Sequence, residues 1–160
     1  MLVQNLAALQ SWISETLIPT IESSGQKIVI FLHGPMGAGK TQLLRFLAQS
    51  LGCPEGDIQS PSFSIHNRYP VASGQQWAFD FLDHLDLYRL EGGEDELESV
   101  GFWDLLSQSS GLLVIEWPER LPEDCIPPGW KKIQVEIQFA KSEAVEGVGG
   151  APRYLGLSSL

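Results

Sequence analysis

The chain has 160 residues, 43% of them hydrophobic, which is enough apolar material for one domain with a genuine core. No apolar run approaches the roughly 18 residues that a membrane-spanning helix needs. Asp80 to Asp124 carries 13 acidic residues against Arg89 and Arg120, so the formal charge of −10 is concentrated there, and the chain has too few cations to hold a phosphate backbone directly.

Taken in chain order, Leu6, Leu9, Ile13 and Leu17 recur at helical steps, with Asn5 as N-cap and Pro19 near the end, predicting an amphipathic helix from Asn5 to about Ile18. Ile28 to Leu32 is continuous and rich in β-branched residues, the pattern of a strand buried on both faces. A glycine-rich loop follows His33, and Leu43, Leu44, Phe46, Leu47 and Leu51 then keep helical spacing until Gly52. Phe63 to Val71 and Trp77 to Tyr88 predict a hairpin turning at Ala72-Ser73-Gly74. After the acidic stretch from Leu87 to Glu98, Val100 to Leu106 predicts a short helix with Trp103 and Leu106 inward. Leu112 to Ile115 is a second buried run, ending in Glu116, while Ile133, Val135, Ile137 and Phe139 alternate as a half-exposed strand. From Lys141 the chain turns to glycine and small residues. Gly147 to Gly150 is expected to be loop or disorder, with Arg153 to Leu157 a candidate final strand. The expected organisation is a domain over 1–140 and a glycine-containing segment over 141–160.

The chemistry is concentrated in Gly34-Pro35-Met36-Gly37-Ala38-Gly39-Lys40-Thr41, a complete G-x-x-x-x-G-K-[ST] pattern between a predicted strand and a predicted helix. Glycines let successive N–H groups curl around phosphate oxygens, and the helix N-terminus adds partial positive charge. Lys40 is placed for the β- and γ-phosphates. Thr41 supplies a hard oxygen for Mg²⁺. Such a loop works with a carboxylate on a neighbouring strand, and Glu116 and Asp86 are the candidates. In His84-Leu85-Asp86-Leu87-Tyr88, alternation puts His84, Asp86 and Tyr88 on one face. Ser62, in Ser60-Pro61-Ser62-Phe63, lies where the chain can return past the γ-phosphate. Trp117 can stack on a ligand, anchor a partner or belong to the core. His84 reads as structural. Cys53 and Cys125 have no Cys or His neighbour at metal-ligand spacing.

Together with the P-loop, Ser60-Pro61-Ser62-Phe63, His84-Leu85-Asp86-Leu87-Tyr88-Arg89-Leu90 and Glu116-Trp117-Pro118-Glu119 resemble the TsaE (formerly YjeE) family of bacterial ATPases over about Asn5 to Phe139. The resemblance implies an α/β single-domain P-loop fold: a central, mostly parallel sheet with an antiparallel hairpin and flanking helices. It implies a weak Mg-dependent ATPase serving threonylcarbamoyladenosine modification of tRNA beside TsaB and TsaD, which carry the contact with tRNA. It assigns Lys40 and Thr41 to phosphate and magnesium, Asp86 and Glu116 to the metal side, Trp117 to a functional aromatic and Arg153 to the nucleotide side. Ser62 stands where the family more often has threonine, and keeps the hydroxyl.

Guanine specificity is not expected, because none of Lys27, Lys40, Lys131, Lys132 or Lys141 lies in an Asn/Thr-Lys-x-Asp motif. A small-molecule kinase is the enzymatic rival, although Arg45, Arg68, Arg89, Arg120 and Arg153 are scattered rather than grouped into a lid. An ATP-gated adaptor presenting its acidic stretch to a basic partner is the non-enzymatic one. With no positive charge before Lys27 there is no signal-peptide n-region, and a cytoplasmic location is expected.

Overall fold

A computed structural model describes residues 1–54, 65–72, 77–91, 93–140 and 153–159. Its sheet comprises β1 (Leu2–Val3), β2 (Lys27–His33), β3 (His66–Pro70), β4 (Phe81–Asp86), β5 (Gly111–Glu116), β6 (Lys131–Phe139) and β7 (Arg153–Ser159). The spatial order is β1-β7-β6-β2-β5-β4-β3. The four middle strands, β6, β2, β5 and β4, run parallel, and each flank is antiparallel: β3 on β4, β7 on β6, β1 on β7. The apolar runs of β2 and β5 occupy the centre because both of their faces are covered.

One face packs under α1 (Leu6–Trp12), a π-helical turn (Ile13–Leu17), α2 (Ile18–Glu22) and α3 (Lys40–Ser50), burying Ile28, Ile30, Leu32, Val114 and Val135 among others. The opposite face carries α4 (Glu94–Ser99), α5 (Phe102–Ser107) and Trp130 over Val29, Leu85, Leu113 and Ile115. Leu43, Leu44 and Leu47 of α3 are fully buried. At roughly 1.5–3 kcal/mol each, they tie the helix that starts at Lys40 firmly to the sheet.

The first helix runs on through Pro19 to Glu22 instead of ending there. Its π-turn, closed by the Ile18 N–H donating to the Ile13 carbonyl, inserts an extra residue just before the proline. That wider turn relieves the conflict between the ring and the preceding carbonyls. In α5, Phe102, Leu105 and Leu106 face the interior, and Trp103 is only half-buried, its ring centre 5.1 Å from that of Phe102 in an edge-on pair. The alternating strand β6 follows its predicted pattern, with Ile133, Val135 and Ile137 buried. Arg153–Ser159 joins it as β7 in the register Val135↔Leu157. Gly147 to Gly150 and the turn residues Ser73 and Gly74 lie outside the described residues.

Candidate functional site

The loop between β2 and α3 takes the shape its glycines permit. Gly34, Gly37 and Gly39 have φ of 147°, 76° and 106°, in the region that disfavours side chains. At Gly34 a Cβ would fall 2.5 Å from the Ile137 carbonyl oxygen, so the loop leaves the sheet in backbone contact with β6. Gly39 is the left-handed N-cap of α3, and no side chain among the described residues caps that helix. First-turn N–H groups are thereby available to an anion. Lys40 is 6% exposed. Its Nζ donates to the carbonyls of Gly34 at 2.7 Å and Pro35 at 3.1 Å, and sits 4.6 Å from the centre of the Trp117 ring.

Sheet register brings the acids to this loop. Glu116 pairs with Leu32 on one side and Asp86 on the other, so both carboxylates stand at the carboxyl ends of parallel strands beside the start of the P-loop. Glu116 is buried, and its Oε1 accepts from His84 Nε2 at 3.1 Å. Asp86 Oδ1 accepts the Tyr88 N–H at 3.1 Å, an Asx turn that ends β4 at Asp86, short of the predicted Tyr88. Tyr88 therefore leaves the strand and reaches the site from a turn. Burial raises the Asp86 carboxyl above its ordinary value, the Tyr88 hydrogen bond opposes this, the charge of Glu116 adds to it, and His84 and Lys40 offset part.

A cleft of about 510 Å³ collects Met36, Gly37, Gly39, Lys40, Thr41, Asp86, Glu116 and Trp117 from the sequence-derived set. Gly34 and Pro35 supply the carbonyls under Lys40, and Ala38 is buried beneath the loop. Gln42, Arg45, Ile65, Tyr88 and Arg89 complete the lining, and of these only Tyr88 and Arg89 lie in a motif the sequence marks out. Arg45 and Arg89, scattered in sequence, thus line one cleft, so scatter along the chain does not by itself count against a kinase. The signal was present: Arg45 is one helical turn beyond Thr41, and Arg89 closes the segment that holds Asp86.

Trp117 has φ 59° and ψ 50°, unusual for a bulky residue, and this turns its indole toward Lys40 and to 5.1 Å from the Tyr88 ring. Arg153 touches the loop from behind. Its Nε would be 3.5 Å from a Cβ on Gly39, and the residue lines a separate hollow of about 180 Å³ with Leu6, Leu9 and Leu155. Ser62 lies outside the described residues. Among the described residues, no group of three or more His, Cys, Asp and Glu is arranged to hold a metal by itself.

A family model for "Threonylcarbamoyl adenosine biosynthesis protein TsaE" matches residues 4–146. The chain is 42% identical over 96 residues to the tRNA threonylcarbamoyladenosine biosynthesis protein TsaE of Synechocystis, covering 59% of this chain and 57% of that one. Proteins of the same name are 37% identical in Haemophilus influenzae (60% and 58% covered) and 40% identical in Streptomyces coelicolor (60% of each). The matched stretch therefore spans less than two thirds of these relatives. The crystal structure of the Bacillus protein YdiB superposes with a TM-score of 0.57 at 21% identity, covering 99% of this chain and 83% of that chain, which shows a shared fold.

Proposed function

This chain belongs to the TsaE family, and from that premise we propose that it binds Mg-ATP in the P-loop cleft and hydrolyses it slowly, in the service of tRNA threonylcarbamoyladenosine formation with TsaB and TsaD. The observation that carries the reading is the convergence of Lys40, Thr41, Asp86 and Glu116 on one cleft. The loop N–H groups and the α3 terminus would receive the phosphate oxygens. Lys40 has an ammonium hydrogen beyond the two given to Gly34 and Pro35 with which to reach them.

The donors fit magnesium. A threonine hydroxyl and two strand-end carboxylates are hard oxygens, too few for a protein-only cage but suited to an ion that keeps waters and takes phosphate oxygens. Thr41, Asp86 and Glu116 would hold it, and the ion would supply charge neutralisation during phosphoryl transfer. Glu116 would orient the attacking water through its carboxylate. Trp117, whose ring centre is 4.6 Å from Lys40 Nζ, would shield that side of a bound phosphate from water, where charges interact more strongly.

A cytoplasmic setting agrees with the reading, and among the described residues no helix is long and apolar enough to cross a membrane. The meeting of Arg45 and Arg89 at the cleft favours a small-molecule kinase as the second reading. The test follows tryptophan fluorescence during Mg-ATP titration, then hydrolysis with and without TsaB and TsaD, with Lys40→Ala as control. Binding lost in the variant and hydrolysis stimulated by the partners supports the proposal. Vigorous phosphate transfer to a small metabolite, indifferent to the partners, puts the kinase first.

A further inference from the structure

Buried polar or charged side chains among the described residues are Lys40, Asp83, His84 and Glu116. Lys40 and Glu116 line the cleft, and Asp83 is held by Arg68 and His66. His84 does not line the cleft and is fully buried, between Asn67 and Val114 in the sheet register. Its Nε2 meets Glu116 Oε1 at 3.1 Å, while its Nδ1 is buried with no hydrogen-bond partner among the described residues.

That orphaned nitrogen argues against a purely stabilising role. An unpaired polar atom in the interior costs about 1–3 kcal/mol, and an apolar residue of similar size would fill the same space without it. A carboxylate oxygen accepts, so the hydrogen of this contact is on the Nε2 side of the ring, and Nδ1 takes no part in it. Among the described residues the ring therefore has one polar contact, and that contact goes to a cleft carboxylate.

We propose that His84 is a positioning residue: it takes up Oε1 of Glu116 and so directs Oε2 into the cleft. The Tyr88 N–H does the same for Asp86 through Oδ1. Each acid then presents one oxygen to the ligand side from a carboxylate whose rotation is stopped, the arrangement by which an outer partner orients a metal-side ligand. This rests on the Mg-ATP reading above.

The test compares His84→Leu, which keeps apolar packing but cannot donate, with His84→Gln, whose amide can still donate to Glu116. His84→Met serves if leucine does not pack. Folding is checked by thermal unfolding, Mg²⁺ binding by the cation concentration that half-saturates the fluorescence change at fixed ATP, and turnover by phosphate release. In the apolar variant the Mg²⁺ requirement and kcat should each worsen by about 10-fold or more, with ATP affinity in EDTA unchanged and much of the loss regained in His84→Gln. A folded apolar variant with wild-type Mg²⁺ requirement and kcat would overturn the assignment, as would a glutamine variant no better than it. If the wild-type protein shows no Mg-ATP response at all, the parent reading fails instead.

Discussion

Gly34→Ala tests how the phosphate loop is anchored. The new methyl would meet the Ile137 carbonyl oxygen at 2.5 Å, where ordinary contact begins near 3.4 Å, and the backbone would have to hold a side chain at φ 147°. Ile137 cannot retreat easily, because it is paired with Leu155 in the β6–β7 ladder and its side chain is buried. Backbone strain of about 1–3 kcal/mol and overpacking of about 1–3 kcal/mol together give roughly 2–6 kcal/mol. At about 2–4 °C per kcal/mol for a chain of this size, Tm should fall by at least ~4 °C. Gly37→Ala is the control, since φ there is 76° but nothing lies within 4 Å of the added carbon, leaving only the left-handed penalty of about 1–2 kcal/mol. Paired thermal and urea unfolding would measure the difference. An equal or smaller loss for Gly34→Ala would refute the claim that the loop is pinned against β6.

Lys40→Ala should weaken ATP binding by roughly 10- to 100-fold, the equivalent of the about 1.5–3 kcal/mol that a charge-assisted hydrogen bond contributes, with thermal unfolding checking that the fold survives. For Asp83, burial raises the carboxyl but hydrogen bonds from His66 and Arg68, with their charges, outweigh it and hold it below the ordinary aspartate value. A depressed acid contributes stability above its unfolded pKa and loses it as pH falls through the folded one. Wild-type stability should therefore drop toward that of Asp83→Asn on acidification below about pH 5, and parallel unfolding curves at pH 7 and pH 3 that do not converge would count against the pairing. Trp117→Phe should abolish most of the ATP-induced fluorescence change while the protein stays folded, because Trp117 is the indole beside Lys40; an undiminished signal would place the reporter elsewhere. Asn5→Ala, which removes the cap that Asn5 Oδ1 provides to the Ala8 N–H, should cost about 1 kcal/mol in urea unfolding without changing nucleotide binding.

Local chemistry made the phosphate loop, the two buried strands and the alternation of β6 readable from the chain alone. Glycine spacing specifies a backbone path, an unbroken apolar run demands cover on both faces, and period-two alternation demands cover on one. The second buried run also placed Glu116 at a strand end, and alternation placed Asp86 on the face of His84. Where the simple patterns misled, a second local device had overridden them: the π-turn carried the first helix past Pro19, and the Asx turn at Asp86 stopped β4 before Tyr88.

Tertiary structure alone decided which strand ends became neighbours. His84 and Glu116 are 32 residues apart and meet only because β4 and β5 pair in one register; a shift of a single residue would turn Glu116 to the other face. Arg45 and Arg89 likewise reach one cleft from different elements, and Arg153 comes against Gly39 only because β7 lies antiparallel on β6. Sequence patterns encode the conformation of each segment and the face it must bury. Which segments share an edge depends on the packing of the whole sheet, and that placed the acids, the arginines and the buried histidine around one loop.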